Sequence, residues 1–426
     1  MEWPFPFRRV GVVGLARTGR AVVETLAPLE VALFLSEARS LSRDERAFLI
    51  GRGIDWEEGG HTSRLLAVDL VVPSPGVPSH HPLLAEARRR KIPVWSEIEL
   101  AFRLAAPTDL IAVTGTNGKS TTVELVAAIL RAGGLDPVVA GNIGCPAIST
   151  VATVADRQWV LEVSSYQLEW TEAFRPTVAV WLNFAPDHLD HHQTLAAYFA
   201  AKARILARQR EADTAVLGRE ILSWSAPRAR CVDYSRVEIP PGWGEGLPSH
   251  LRADLQAAWA AASAVLPRIE GSPPPYREVA PALHQPHRLQ RVGEIRGIPF
   301  VDDSKGTNAH ATAAALAATP GRVVLILGGR LKGGGYDVLV PRLQDKVRAC
   351  ILIGESQGFF AHLLASAGVP FDPADDPADA LRRAYRVAHP GDTVLLSPAC
   401  ASFDQFRDYA QRGEAFQRAF TALAAG

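Results

Sequence analysis

Leu110-Ile111-Ala112-Val113-Thr114 runs directly into Gly115-Thr116-Asn117-Gly118-Lys119-Ser120-Thr121-Thr122. The opening residues are apolar, as a buried strand requires. The glycines allow a turn whose backbone N–H groups face a ligand, and the apolar-periodic residues after Lys119 predict a helix whose N-terminus adds positive dipole. Strand, glycine turn and helix in this order cradle a nucleoside triphosphate. Gly115, Thr116, Asn117 and Gly118 form the cradle, Lys119 reaches the outer phosphates, and the hydroxyl of Ser120 or Thr121 holds Mg²⁺. Val113 replaces the outer glycine of the common G-x-x-x-x-G-K-[ST] pattern. On the motif alone, glycines that merely cap a turn remain an open reading.

Around this stretch the chain is 426 residues long, enough for about two to four domains. With 47% hydrophobic and 21% charged residues it is an ordinary globular composition. Lys+Arg and Asp+Glu both number 45, so no charge excess points to nucleic acid or an anionic membrane. Cys145, Cys231, Cys350 and Cys400 lie far apart, which argues against a disulfide framework or a C-x-x-C metal site and fits a reducing compartment. No secretory h-region and no run of about 18 apolar residues is present, so a cytoplasmic protein without a membrane span is expected. Lys91, Lys119, Lys202, Lys305, Lys332 and Lys346 are the six lysines among the 45 basic residues. A chain that prefers arginine retains lysine where a compact or modifiable amine is needed.

Before the central stretch, Arg9–Val13 predicts a strand entering Gly14-Leu15-Ala16-Arg17-Thr18-Gly19 and a helix. A second strand, Val31–Leu35, ends at Ser36-Glu37, and a third, Asp69–Val72, enters Pro73-Ser74-Pro75-Gly76. The glycine spacing is not that of a dinucleotide site, yet three such turns at strand ends predict a small nucleotide-binding domain over residues 1–95. After the central stretch, Val138–Ala140 leads into Gly141-Asn142. Trp159–Val163 carries the lone carboxylate Glu162, either a Mg²⁺ ligand or half of an ion pair. Val178–Asn183 opens into Asp187-His188-Leu189-Asp190-His191-His192, where zinc is conceivable but no second ligand group lies at suitable spacing. A helix over residues 195–207 carries Lys202, by default a solvated residue. A long helix over 248–266 and a loop over 271–276 precede a last region of alternating strands and helices. Its strand ends carry Asp302-Asp303-Ser304-Lys305-Gly306-Thr307-Asn308, Gly328–Gly334 and Ser397–Phe406. Lys305 and Lys332 there offer contacts to a small anion.

The whole pattern resembles the Mur ligase family. Thr114–Thr122 fits that superfamily at large. Leu161–Leu168, Asp302–Asn308, Ser397–Phe406 and Arg412-Gly413-x-x-Phe416 resemble its D-glutamate-adding branch. The resemblance implies an α/β protein of three domains: a Rossmann-like UDP-binding domain (1–95), a central P-loop ATPase-type parallel-sheet domain (96–285), and a Rossmann-like amino-acid-binding domain (286–426). It further implies ATP-dependent amide formation from UDP-N-acetylmuramoyl-L-alanine and D-glutamate through an acyl phosphate, with two Mg²⁺ ions, in a protein expected to be a monomer. Carried over by position, Lys119 contacts the γ-phosphate, and Ser120 or Thr121 with Glu162 holds the first Mg²⁺. His188 and a carbamylated Lys202 surround the second, and Asn142 orients the acceptor carboxylate. His287, Arg288 and Asp303 match the adenosine side. Lys305 belongs to the substrate-facing motif, and Thr307, Lys332, Ser402 and Tyr409 match the D-glutamate side. Leu15, Ala16, Arg17, Glu37, Arg39, Ser74 and Gly76 lie where the uridine diphosphate would be held. Asp254 stands where an asparagine is usual, Gln290 where glutamate is, Glu37 where aspartate is, and Tyr409 where phenylalanine is.

Other ligases of the superfamily are the nearest alternatives. The diamino-acid branches carry a different element after the paired aspartates. The folate branch has no need of the N-terminal glycine-turn domain. A non-catalytic UDP-sugar-binding protein would have no need of Lys119, Glu162, His188 and Lys202 together.

Overall fold

The computed structural model describes residues 2–265 and 273–425. The expected helix end at Leu266 and the first residues of the 271–276 loop lie outside them. Two compact units emerge. One contains residues 1–184, 191–245 and 251–279, the other residues 185–190, 246–250 and 280–426. Two sheets lie in the first unit and one in the second.

The first sheet has four parallel strands, β1 (Arg9–Val13), β2 (Ala32–Glu37), β3 (Asp55–Glu58) and β4 (Leu70–Pro73), in the order β3-β2-β1-β4. The second has six parallel strands: β5 (Leu110–Thr114), β6 (Val138–Gly141), β7 (Trp159–Glu162), β8 (Val178–Trp181), β9 (Thr214–Leu217) and β10 (Arg230–Asp233). Their order is β10-β9-β8-β5-β7-β6. Every residue of β5, β7 and β8 is buried. Helices on both faces explain why these strands read as continuous apolar runs rather than alternating ones. β5 lies between β7 and β8, with Val113 opposite both Glu162 and Val180. The glycine turn after β5 therefore opens at the sheet's centre, where ligands gather beyond the carboxyl ends of parallel strands. The helix expected over 195–207 is shorter, Leu195–Ala203.

The second unit holds β11 (Gln290–Ile295), β12 (Ile298–Asp302), β13 (Val323–Gly328), β14 (Val347–Ile353), β15 (Phe371–Pro373) and β16 (Thr393–Leu396), ordered β11-β12-β16-β13-β14-β15. Leu325, Leu327, Leu352 and Leu395 feed one core, while Val324, Ile326, Ile351, Val394 and Leu396 feed the core on the opposite face. The sheet is mixed: β11 runs antiparallel to β12. Arg296 and Gly297 between them have φ of 50° and 76°, as in the tight hairpin turn that matches strand twist. The alternating strand–helix expectation missed this hairpin, because β11 alternates polar and half-buried residues at a sheet edge. No helix among the described residues is long and apolar enough to cross a membrane.

Candidate active site

The turn expected to hold phosphate is closely packed. Gly118 starts the helix Lys119–Ala132 with φ of +88°, and a Cβ there would lie 2.2 Å from an Asp254 carboxylate oxygen. Glycine is required both by the left-handed conformation and by the close approach. From β8, Asn183 clamps the loop: its Oδ1 accepts the Asn117 N–H at 2.9 Å and its Nδ2 donates to the Asn117 carbonyl at 3.1 Å. The Thr116 N–H donates to the Asn183 carbonyl at 3.2 Å. Sequence reading assigned Asn183 no role, because its partner lies 66 residues away.

Lys119 Nζ donates to the carbonyls of Gly115 and Thr116 at 2.9 and 3.0 Å. Lys202 is not a solvated helix residue. It is 1% exposed, its Nζ donates to the same Gly115 carbonyl at 2.8 Å, and it lies 4.8 Å over the Tyr198 ring. Two ammonium groups thus converge on one carbonyl oxygen. Like charges less than about 6 Å apart repel by roughly 3 kcal/mol or more at an effective dielectric of 20.

Glu162 ends β7 and is 3% exposed. Its Oε1 accepts the Asn142 side-chain N–H at 2.7 Å, and the Asn142 backbone N–H donates to the Glu162 carbonyl at 2.9 Å. Gly141 permits this crossing, since a Cβ there would lie 2.3 Å from the Glu162 carbonyl oxygen. Glu162 Oε2 and Thr121 Oγ1 are buried without a hydrogen-bond partner among the described residues. A carboxylate oxygen and a hydroxyl left in this way, beside a phosphate loop, are the hard oxygen donors that Mg²⁺ takes. Ser120 is also buried. Among the described residues Glu162 makes no ion pair, and its partner is the Asn142 amide.

In the first sheet, Gly14 has φ of +86° and Gly19 sits so close that a Cβ would meet the Gly14 carbonyl oxygen at 1.8 Å. Glu37 Oε2 accepts the Leu15 N–H at 2.7 Å, Glu37 Oε1 accepts the Arg39 N–H at 3.2 Å, and Ser74 Oγ donates to the Gly14 carbonyl at 3.3 Å. Leu15, Glu37, Arg39 and Ser74 therefore meet at one glycine turn. Ala16, Arg17 and Gly76 are exposed. The Arg39 guanidinium is paired with Glu45.

In the second unit, Asp302 and Asp303 close β12. Asp302 Oδ2 lies 2.7 Å from His287 Nδ1, and Gly413 leaves room for that imidazole. Asp303 accepts from Ser397 Oγ at 2.7 Å and from the Leu289 N–H at 3.2 Å, and burial pushes its carboxyl up to about 7. His250 is held down to about 4 by burial and by the charge of Arg288. Arg412, 1% exposed, donates to the Cys400 and Ser304 carbonyls and to Ser304 Oγ at 2.9–3.1 Å. It ties three sequence-distant motifs together. Lys332 Nζ meets Thr307 Oγ1 at 3.1 Å and Asp187 Oδ1 at 3.7 Å, while Asn308 donates to Asp187 Oδ2 at 3.0 Å. Lys305 Nζ donates to Gln285 Oε1 at 3.0 Å and lies 5.7 Å over the Tyr409 ring. Ser402 is buried at the β16 end.

The cluster Asp187–His192 divides. Asp187 and His188, the latter with φ of +56°, belong to the second unit, and His191 and His192 to the first.

The order of sheets and motifs matches known proteins over the full length. Residues 9–82 match the MurD N-terminal domain, 113–231 the Mur ligase middle domain, and 287–400 the Mur ligase glutamate ligase domain. A UDP-N-acetylmuramoylalanine–D-glutamate ligase from Shouchella clausii is 38% identical, covering 96% of each chain. The chain belongs to the Mur ligase family. A ligase of the same name from Koribacter versatilis is 38% identical over 98% of both chains, and one from Frankia casuarinae 40% identical over 96% of this chain and 93% of its own. Among solved structures, a MurF ligase from Thermotoga maritima in complex with ADP aligns with a TM-score of 0.57 at 15% identity, covering 92% and 96% of the two chains. UDP-N-acetylmuramate-alanine ligase MurC from the same organism gives 0.56 at 18% identity, covering 97% and 99%. At those identities they establish the shared fold of this Mur ligase.

Proposed function

We infer that this Mur ligase joins D-glutamate to UDP-N-acetylmuramoyl-L-alanine at the expense of ATP, a cytoplasmic step of peptidoglycan assembly. The observation that carries the reading is 38% identity, over 96–98% of the chain, to ligases named for that reaction. Residues 1–95 are assigned to UDP binding, 96–285 to ATP and phosphoryl transfer, and 286–426 to the amino acid.

A carboxylate resists attack by an amine. One of its oxygens therefore first attacks the γ-phosphorus, the bond to the β–γ bridging oxygen breaks, and ADP leaves. The amine of D-glutamate then attacks the acyl-phosphate carbon, the C–O bond to phosphate breaks with its electron pair, and the nitrogen loses its proton. Phosphoryl transfer of this kind depends on positioning and charge neutralisation. Lys119 neutralises the transferred group, and Asn142, held by Glu162, orients the acceptor carboxylate. Thr121 or Ser120 with Glu162 suits one Mg²⁺, and the family pattern adds His188 and carbamylated Lys202 for a second. Bound there, the metal would offset the charge of the phosphate oxygens. Carbamylation of Lys202 is supported by its burial beside the glycine turn, where it would exchange a buried amine for an anionic oxygen donor suited to a metal. His287, Arg288 and Asp303 serve the adenosine end. Lys305, Lys332, Thr307, Ser402 and Tyr409 serve the amino acid.

Phosphate release with UDP-N-acetylmuramoyl-L-alanine, ATP and Mg²⁺, supplying candidate amino acids one at a time, tests the reading. Release should require D-glutamate. Turnover with another amino acid and none with D-glutamate would assign the chain to a different branch.

A further inference from the structure

His191 and His192 have no place in the ligase chemistry, yet both are buried. Adjacent helical residues project about 100° apart, so the pair alone offers no ligand set. The fold supplies a third donor from the helix following β7. Glu169 Oε2 lies 3.0 Å from His191 Nε2, and one donor atom from each of Glu169, His191 and His192 lies within 4.8 Å of the others. We propose that Glu169, His191 and His192 form a binding site for a divalent transition-metal cation of the zinc class, separate from the Mg²⁺ centre.

The donor chemistry is that of zinc: two imidazoles and a carboxylate bind it at about 2.0–2.2 Å, with room for a water as fourth ligand. Donors around such an ion stand roughly 3–3.5 Å apart, so the Glu169–His191 edge already has the required length. The widest gap closes by about 1–1.5 Å, within reach of side-chain rotation. The imidazoles are held for the task. Ser165 Oγ lies 2.9 Å from His192 Nε2, and the Tyr166 ring packs on His191 with centroids 4.2 Å apart. Such outer contacts orient metal-binding histidines. The Glu169 carboxyl is kept anionic. Burial would raise it, but hydrogen bonds from His191 and Ser79 and the nearby imidazoles outweigh that and hold it below its ordinary range. An entry path exists, since Glu169 borders a cleft of about 440 Å³ lined also by Ser79, His80, Trp170 and Arg204.

The ion would join two stretches that bear on the phosphate site. Glu169 follows β7, which carries Glu162, and His192 leads within three residues to the helix carrying Lys202. It would act as a clamp behind the catalytic groups, and without it Glu169 and His191 keep only their mutual hydrogen bond.

The two cases separate in a binding experiment. Full-length protein is stripped with chelator, reduced, and held in excess Mg²⁺ to occupy the phosphate-linked centre. It is then titrated with Zn²⁺ by calorimetry, with Co²⁺ as an optical probe. His191→Arg keeps a cation beside Glu169 while removing a ligand, and Glu169→Gln serves as a second variant should the first melt early. One equivalent of Zn²⁺ should bind wild type and raise its melting temperature, with affinity at least about 10-fold weaker in both variants. Equal binding in wild type and variants would overturn the proposal. So would absence of binding up to about 100 μM, or a cobalt spectrum with thiolate charge transfer that disappears in Cys145→Ser or Cys231→Ser. None of these outcomes bears on whether D-glutamate is the substrate.

Discussion

Glu162→Gln separates a metal-binding carboxylate from a structural one. The side chain is 3% exposed, one oxygen accepts from Asn142 at 2.7 Å, and the other has no partner among the described residues. A buried polar oxygen without a partner costs about 1–3 kcal/mol, and more when charged. Glutamine keeps an acceptor for Asn142 and removes the charge. The ligand-free variant should therefore be as stable as wild type, or more stable by about 1–3 kcal/mol. Turnover should move the other way. Loss of the anion that holds a phosphate-neutralising cation should lower kcat by about 100-fold or more, equivalent to roughly 3 kcal/mol of barrier. The assay pairs phosphate release with urea denaturation in the presence and absence of Mg²⁺ and ATP. Wild type should gain stability from the nucleotide–metal pair, and the variant should gain much less. Undiminished turnover with the same Mg²⁺ dependence would refute the assignment. A ligand-free variant weakened by more than about 2 kcal/mol would also refute it, by showing that the charge stabilises the fold.

Lys332→Ala removes the ammonium that meets Thr307 and Asp187, and should raise the KM for D-glutamate about 10-fold or more while leaving the KM for ATP nearly unchanged. Equal effects on both substrates would exclude it from the amino-acid site. Arg412→Met leaves the Cys400 and Ser304 carbonyls without their buried donor and should destabilise the protein by at least about 3 kcal/mol in urea denaturation. A smaller loss would mean that water replaces the guanidinium. Glu97 is 1% exposed and, despite accepting the Ile148 N–H at 2.6 Å, is pushed by burial from 4.5 up to about 7. The native state thus keeps a proton that the unfolded chain releases. Relative to Glu97→Gln, wild type should lose up to roughly 3 kcal/mol as pH rises through that interval and then level off. Urea denaturation at pH 5 and pH 8 measures the difference, and a flat result refutes the raised pKa.

Strands and glycine turns were legible because each is a local pattern: a continuous apolar run ends at a residue that only glycine suits. Gly118, where the backbone conformation and the approach to Asp254 both require glycine, was readable for that reason. Side chains that complete the site from a neighbouring strand were not. Asn183 clamps the glycine turn because β8 neighbours β5, and Glu169 joins His191 across the end of β5, which lies between β7 and β8. The cluster Asp187–His192 misled in the opposite direction. Its residues adjoin in sequence but divide between Lys332 and Asn308 on one side and Glu169 on the other.

The scarcity of lysine has a geometric basis at the strand ends. Lys119 Nζ fits between the Gly115 and Thr116 carbonyls, and Lys202 Nζ takes the second approach to Gly115. A planar guanidinium carries its charge over five donors in a rigid fork and could not share one carbonyl oxygen with a neighbouring ammonium. Lys346 makes a different use of the same compactness, donating at 2.7 Å to the Thr319 carbonyl at the end of the helix Ala309–Ala318, where a cation is favoured by the helix dipole. Arginine, by contrast, makes most of the surface pairs with carboxylates, such as Arg46–Glu58 and Arg383–Asp379. The division follows from chemistry. A fork suits a carboxylate in solvent or, as at Arg412, several carbonyls at once, while a point charge suits the single shared carbonyl of Gly115. The Gly115 carbonyl thereby receives two lysine donors, one from each side chain. In the proposed reaction the transferred phosphate would bring negative charge to these two amines, and carbamylation would turn the amine of Lys202 into an anion.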